Sequence, residues 1–283
     1  MLLVGENDQF VPVCSKNRLS QKGDIQMTSK PKGLAKIWRE IKRPFRRKAT
    51  AKSVAEIEPA VEIYGDDFQK MLLATSCQSA EQIVPYIMEL VRPKSIVDVG
   101  CGVGAWLAAF RDIGHIKDYL GIDGDYIQKQ HLLIDQSNFL AKNLEKMPIT
   151  CGRSFDLAVS LEVAEHLAEE LALPFVESLT RLAPVILFSA AIPNQGGANH
   201  IHERWPSYWA ELFSRFHYVP VDCIRRKFWN NEKVSWWYSQ NIILYAKFDQ
   251  LEKYPFLNKE YDSFKEPPLS LVHPRLWKWR VTS

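Results

Sequence analysis

The run Ser95-Ile96-Val97-Asp98-Val99-Gly100-Cys101-Gly102-Val103-Gly104 passes from an apolar, β-branched stretch into a glycine-rich turn. Glycine tolerates unusual φ and puts no Cβ in a ligand's way, and a helix opening directly afterwards offers unpaired N–H groups to polar or anionic atoms. A nucleotide or nucleoside suits such a turn. Dinucleotide-binding turns space their glycines as GxGxxG, whereas the spacing here is GxGxG with Asp98 two residues before the first glycine, which argues against NAD. The next apolar run ends in Gly121-Ile122-Asp123-Gly124-Asp125. A carboxylate at the end of that strand, Asp123, can accept both hydroxyls of a ribose.

A second cluster, Ser160-Leu161-Glu162-Val163-Ala164-Glu165-His166, forms an ExxEH motif after another apolar run. If the chain turns there into a helix, Glu162, Glu165 and His166 share one face and point toward the carboxyl edge of the sheet, where open α/β folds bind ligands. Two carboxylates and an imidazole suit Mg²⁺, Mn²⁺, Fe²⁺ or Zn²⁺. The same residues also arise without a ligand, since acidic side chains are favoured in a helix's first turn and a histidine can cap or pack. Downstream, Gly196-Gly197-Ala198-Asn199-His200-Ile201-His202 supplies two more imidazoles. His200 is the expected fourth ligand because the paired glycines let its loop fold inward. Without a metal, His200 or His202 is the expected general base, which must reach the acceptor proton by hydrogen bond.

The elements that must position these groups follow an α/β pattern from about residue 80 onward, helices alternating with short β-rich runs and no internal repeat. Strands are expected at 95–99, 119–123, 139–141, 155–160, 185–189, 218–224 and 239–247, and helices at 80–91, 104–113, 164–182 and 207–216. The chain divides into a basic, flexible extension over 1–60, a folded domain over 61–248 and a tail over 249–283. That tail, with Pro267, Pro268, Pro274, Trp277 and Trp279, straps across the domain or meets a partner.

Composition narrows the class. With 283 residues, 46% of them apolar, the chain can bury a full core, which excludes a disordered or collagen-like protein. Its five cysteines are far apart, with no CxxC pair for zinc, so free thiols in a reduced compartment are expected. The amino terminus carries Glu6 and Asp8 where a secretion signal needs cations, and no apolar run spans a bilayer; we expect a cytoplasmic protein. Met27, followed by Thr-Ser-Lys, reads as a start, with the first 26 residues a leader or an upstream extension.

The overall charge of +3 hides a segment from Lys30 to Ser53 that is +9, leaving −6 elsewhere. A domain with that balance has no general electrostatic reason to hold nucleic acid. Within the basic stretch, Leu34, Ile37, Trp38, Ile41 and Phe45 recur at helical spacing. It reads as a solvated arm or as a helix giving peripheral contact with an anionic membrane through residues 30–53.

The glycine turn with Asp98 and Asp123 resembles the class I S-adenosylmethionine-dependent methyltransferases over roughly Tyr64 to Lys247. The resemblance implies a Rossmann-like α/β sandwich with a seven-stranded sheet of order 3-2-1-4-5-7-6, strand 7 antiparallel. It also implies that Asp98, Gly100, Cys101, Gly102, Gly104 and Ser160 line the site of S-adenosylmethionine and that Asp123 holds the ribose. The adenine position falls at Asn143 and Leu144, where many relatives carry an aspartate; the Asn143 amide oxygen can accept the same bond. ExxEH with a later histidine is similar to the small-RNA 3′-terminal 2′-O-methyltransferases, and ExxEH alone to the ubiquinone-pathway O-methyltransferases. Both imply a divalent metal, here on Glu162, Glu165, His166 and His200. Gly196-Gly197, His200, Glu203 to Trp209 and Trp236-Trp237-Tyr238-Ser239-Gln240-Asn241 together resemble a group of bacterial methyltransferases, a resemblance that implies nothing about substrate.

Methyl transfer from a sulfonium asks the protein chiefly to position the acceptor and exclude water. A hydroxyl acceptor needs help losing its proton, from a histidine or a Lewis acid. The expectation is therefore O-methylation of a small molecule or glycan hydroxyl, with Trp205, Tyr208 and Trp236 as pocket walls. The rival enzyme reading is 2′-O-methylation of an RNA 3′-end, with the basic arm on phosphates. A non-catalytic module that binds the nucleoside and serves as a partner surface is the third, and the intact motifs weigh against it.

Overall fold

The computed structural model describes residues 66–263 and 270–282. The basic stretch 30–53, the Met27 start and the boundary near residue 60 lie outside the described residues. Seven strands, β1 (Ser95–Val99), β2 (Asp118–Asp123), β3 (Phe139–Ala141), β4 (Leu157–Leu161), β5 (Val185–Ser189), β6 (Tyr218–Val221) and β7 (Ile243–Lys247), form one sheet in the order β3-β2-β1-β4-β5-β7-β6. β7 runs antiparallel to both β5 and β6, and the other pairs are parallel. Every residue of β4 and β5 is buried, as expected for parallel strands covered on both faces. One apolar cluster, with Ile83, Ile87 and Phe110, fills one side of the sheet. A second, with Phe175, Phe188 and Phe213, fills the other. This is the Rossmann-like methyltransferase topology that the sequence implies.

The helices are α1 (Asp66–Val91), α2 (Ala105–Asp112), α3 (Ala172–Leu182), α4 (Pro206–Ser214), α5 (Cys223–Phe228), α6 (Trp236–Asn241), α7 (Pro255–Ser263) and α8 (Pro274–Val281). α1 starts well before the expected residue 80. Among the described residues no helix is long and apolar enough to cross a membrane, and Cys77, Cys101, Cys151 and Cys223 form no disulfide.

Three expected elements differ, each for a local reason. The helix expected over 164–182 is broken into 3-10 turns at Ala164–His166 and Glu169–Leu171, and α3 begins only at Ala172. Leu167 and Ala168 are extended, and the Glu165 carbonyl accepts from the Ile201 and His202 N–H groups at 2.9 and 3.0 Å rather than from its own helix. The strand expected over 218–224 stops at Val221, where Asp222 pairs with the buried Arg225 and opens α5. The strand expected over 239–247 begins at Ile243, because Gln240 and Asn241 lie in α6 and turn their amides into a buried polar network. The tail over 249–283 is folded for much of its length: α7 packs against α1, and His273, only 6% exposed, caps α8.

Candidate functional site

The glycine turn sits where β1 ends, tied to the neighbouring strand by bonds from the Gly100 and Cys101 N–H groups to the Ile122 carbonyl. Gly100, Gly102 and Gly104 have φ of 82°, 54° and 85°. Two of the three are also constrained by space. A Cβ on Gly100 would lie 2.3 Å from Val163 Cγ2, and one on Gly104 would lie 3.0 Å from Ile134. Around Gly102 a Cβ would meet nothing within 4 Å, so this left-handed residue leaves the turn open where a ligand would approach.

Asp123 closes the turn from below. Its Oδ2 accepts from Gly102 N–H at 2.6 Å, and its Oδ1 from Gly124 N–H and from the Tyr126 hydroxyl, each at 2.6 Å. Asp98 is 3% exposed, and burial, with Asp123 nearby, pushes its carboxyl well above the ordinary carboxylate range. Cys101 is pushed up in the same way, by burial and then by the two aspartates. Ser160 lies one residue beyond Val159, which registers with Asp98; its hydroxyl is buried without a hydrogen-bond partner. Asn143 is exposed and its Oδ1 accepts from Glu145 N–H at 2.8 Å, which fixes the turn after β3 beside half-buried Leu144. All nine residues expected to line a cofactor fall at or near the carboxyl ends of β1 to β4.

The ExxEH segment begins with Glu162 at φ 57°, a left-handed kink that separates its side chain from those that follow. Glu162 accepts from Asn241 Nδ2 at 3.0 Å and from Gln195 Nε2 at 2.9 Å, and its own N–H is held by Ser189. The structure thus brings together Glu165, His166 and His200, whose candidate ligand atoms lie within 4.8 Å of one another, while Glu162 is engaged elsewhere. Glu165 is fully buried, and neither carboxylate oxygen has a hydrogen-bond partner. Burial first and the Glu162 charge second raise its pKa far above normal, and nearby backbone amides offset this only in part. A buried carboxylate without a partner is costly unless a cation or a proton compensates it.

Two imidazoles face that carboxylate. The His166 and His200 rings meet edge to face at 4.8 Å, and desolvation of the His166 ring by its neighbours, with His200 beside it, lowers the His166 pKa, although the residue keeps an exposed side. His166 is therefore neutral near pH 7, the form in which imidazole binds a metal. Glu203 organises the loop that carries His200. Its carboxylate takes the Asn194 and Gly196 N–H groups at 2.7 and 2.6 Å and His200 Nδ1 at 3.1 Å. Gly197 is required by close approach, since a Cβ there would lie 2.2 Å from His200 Nε2. His202 does not join the cluster. It is 3% exposed, packed edge-on against Tyr208 and Trp209, with both ring nitrogens unpartnered.

A family model described as a methyltransferase domain matches residues 75–237, more than half of the chain. The chain belongs to this family. Together with the sheet order, the match makes it a class I methyltransferase, and S-adenosylmethionine is the cofactor of the family. No curated protein matches the sequence. Among solved structures, a putative methyltransferase from Haloferax volcanii, in complex with the Trm112 methyltransferase activator, is 16% identical with a TM-score of 0.46, covering 64% of this chain and 94% of its own. The methyltransferase domain of the bacterial CtHen1 is 15% identical at 0.43, covering 60% and 98%. Human N-acetylserotonin methyltransferase is 14% identical at 0.44, covering 64% of this chain and 55% of its own.

Several residues that shape this methyltransferase's site are not among those singled out for it in the sequence. Gln195, Gln240 and Asn241 form one buried amide network: Gln195 Oε1 accepts from Gln240 Nε2 and Asn241 Nδ2 at 3.0 and 2.9 Å, and two of the three amides hold Glu162. The network continues into the tail, where Gln240 Oε1 accepts from His273 N–H at 2.7 Å. Arg280 of α8 donates to the Asn194 carbonyl at 2.6 Å, so α8 grips the loop that bears His200. Glu203 and Tyr126 are likewise defined only by their partners. Gln240 and Asn241 carry a signal, two amides closing the aromatic run Trp236-Trp237-Tyr238-Ser239-Gln240-Asn241; Gln195, Glu203 and Tyr126 lie in polar or glycine-rich stretches that carry none. Of the expected pocket walls, Tyr208 packs on His202 and Trp209, and Trp236 stands half-buried against Trp237.

Proposed function

We propose that this enzyme transfers a methyl group from S-adenosylmethionine to a hydroxyl of a small molecule or glycan, with a divalent cation held by Glu165, His166 and His200 beside the acceptor. The observation that supports this reading best is the fully buried, unpartnered Glu165 carboxylate facing two imidazoles. It lies two residues from Val163, whose side chain packs where a Gly100 side chain would be. The segment that carries Glu165 thus packs against the glycine turn, which supports placing the two groups near each other.

The residues present suit both groups. For the cofactor, the open backbone at Gly102 and the Asp123 carboxylate offer a cradle and a ribose acceptor; S-adenosylmethionine supplies an activated methyl group on a sulfonium. For the cation, a carboxylate and two imidazoles with open positions suit Mn²⁺, Fe²⁺ or Zn²⁺; such an ion would polarise an acceptor hydroxyl as a Lewis acid. The chain's own part is positioning. Val163 against Gly100 sets the spacing between the two halves, Glu203 orients the His200 ring, and the Glu162 amide clamp fixes the segment that presents Glu165 and His166. The basic stretch 30–53 would serve as a solvated arm or as a peripheral contact with an anionic membrane surface.

The test is incubation with labelled methyl donor, with and without chelator, against cell extracts split into RNA, lipid, glycan and small-molecule fractions. Label entering the glycan or small-molecule fraction and lost with chelator is the expected result. Label confined to RNA replaces the acceptor with an RNA end, and insensitivity to chelator removes the cation.

A further inference from the structure

Tyr126 stands where a nucleoside would need to bind. A carboxylate has about four acceptor directions, and three on Asp123 are already taken, two by the backbone N–H groups of Gly102 and Gly124 and one by the Tyr126 hydroxyl. Both amides are backbone, one in the glycine turn and one directly after β2, and cannot leave without moving the chain. A ribose presents two adjacent hydroxyls, so only the tyrosine can yield the second acceptor position.

A separate observation shows that the chain makes room for this contact. Gly124 does not have the left-handed φ that calls for glycine, yet a Cβ there would lie 2.0 Å from Tyr126 Cε1. The missing side chain accommodates the ring. Tyr126 is nevertheless 64% exposed, with solvent on its outer side and its hydroxyl on Asp123.

We propose that Tyr126 is a specificity-determining residue of the cofactor site, its hydroxyl standing in for one ribose hydroxyl on Asp123 and giving way only to a nucleoside that brings both. This rests on the reading of Asp123 as the ribose acceptor. Binding then exchanges one hydrogen bond for another instead of adding one. A deoxynucleoside that lacks the displacing hydroxyl leaves Tyr126 in place and gains nothing from its removal.

The experiment compares the full chain with Tyr126→Phe by calorimetry against S-adenosylhomocysteine, adenosine, 2′-deoxyadenosine and 3′-deoxyadenosine, after a melting curve shows both proteins folded. Y126F is expected to bind S-adenosylhomocysteine and adenosine about three- to tenfold more tightly, the worth of one net hydrogen bond, and to show no gain with one of the two deoxynucleosides. Unchanged or weaker binding of S-adenosylhomocysteine by Y126F, or an equal gain across all four ligands, overturns the proposal. Failure of both proteins to bind any of the four overturns the cofactor reading beneath it.

Discussion

The two halves of the proposed site, the glycine turn and the cluster around Glu165, are built in opposite ways. The glycine turn, Asp98, Asp123 and Tyr126 come from one stretch of about thirty residues, carried on two adjacent parallel strands whose register places Asp98 beside Gly121. Backbone geometry does most of the work there. The half around Glu165 is assembled from the ExxEH segment, the loop after β5, α6 and the tail, and its parts are held by side chains: Glu203 on the loop amides, Gln195 and Asn241 on Glu162, Arg280 on Asn194. A turn defined by backbone tolerates changes around it, whereas a network of buried polar groups is only as sound as its least satisfied member.

The sharpest way to break that contrast is at Glu165. Glu165→Gln is expected to abolish chelator-sensitive methylation, a loss of at least about a hundredfold, while leaving the melting temperature equal or higher, because the amide cannot ionise in a site where burial disfavours the charge. Isothermal titration with Mn²⁺ alongside a melting curve checks both halves of the statement. In the glycine turn, Gly100→Ala meets both a left-handed φ and Val163 at 2.3 Å. It should weaken S-adenosylhomocysteine roughly tenfold or more by calorimetry and destabilise the fold by about 1–3 kcal/mol. Glu203→Ala leaves the carboxylate and imidazoles in place but frees the His200 loop; metal affinity should fall about tenfold to a hundredfold while cofactor affinity holds.

The smallest effect concerns pH. Because burial, and then Asp123, raise the Asp98 pKa, the folded chain binds that proton more tightly than the unfolded one. Its contribution favours folding below the unfolded carboxylate value, about 4, and is lost as the pH climbs through the raised folded value. Asp98→Asn carries no such charge. Its melting temperature should exceed that of the unmodified chain by roughly 2–4 °C at pH 8, with the gap narrowing toward pH 5; scanning calorimetry across that range decides it.

The same contrast explains what could be read in the sequence. β1 and the glycine turn are contiguous, and a buried strand followed by spaced glycines is a pattern along the chain. β3 and β5 also fall on their expected residues, because short apolar runs bounded by polar ones leave little choice. Glu165, His166 and His200 were visible as a spacing, but their separation from Glu162 was not, since it depends on a left-handed φ at Glu162 and on two amides arriving from residues 195 and 241. For the same reason the helix expected from Ala164 gave way to 3-10 turns: the Glu165 carbonyl serves the His200 loop, a contact across 36 residues that no local periodicity records. His202 was equally plausible as a base by type and position, and only its burial between Tyr208 and Trp209 sets it apart.

The account stands or falls on the two halves lying side by side, an adenosyl group on the glycine turn and a cation on Glu165, His166 and His200. A crystal grown with S-adenosylhomocysteine and Mn²⁺, with anomalous data collected for the metal, measures this directly. The account predicts the ribose on Asp123 with Tyr126 displaced, and a single strong anomalous peak among those three side chains. A nucleoside absent from the turn, or a Mn²⁺ peak anywhere but between Glu165 and the two histidines, would contradict it.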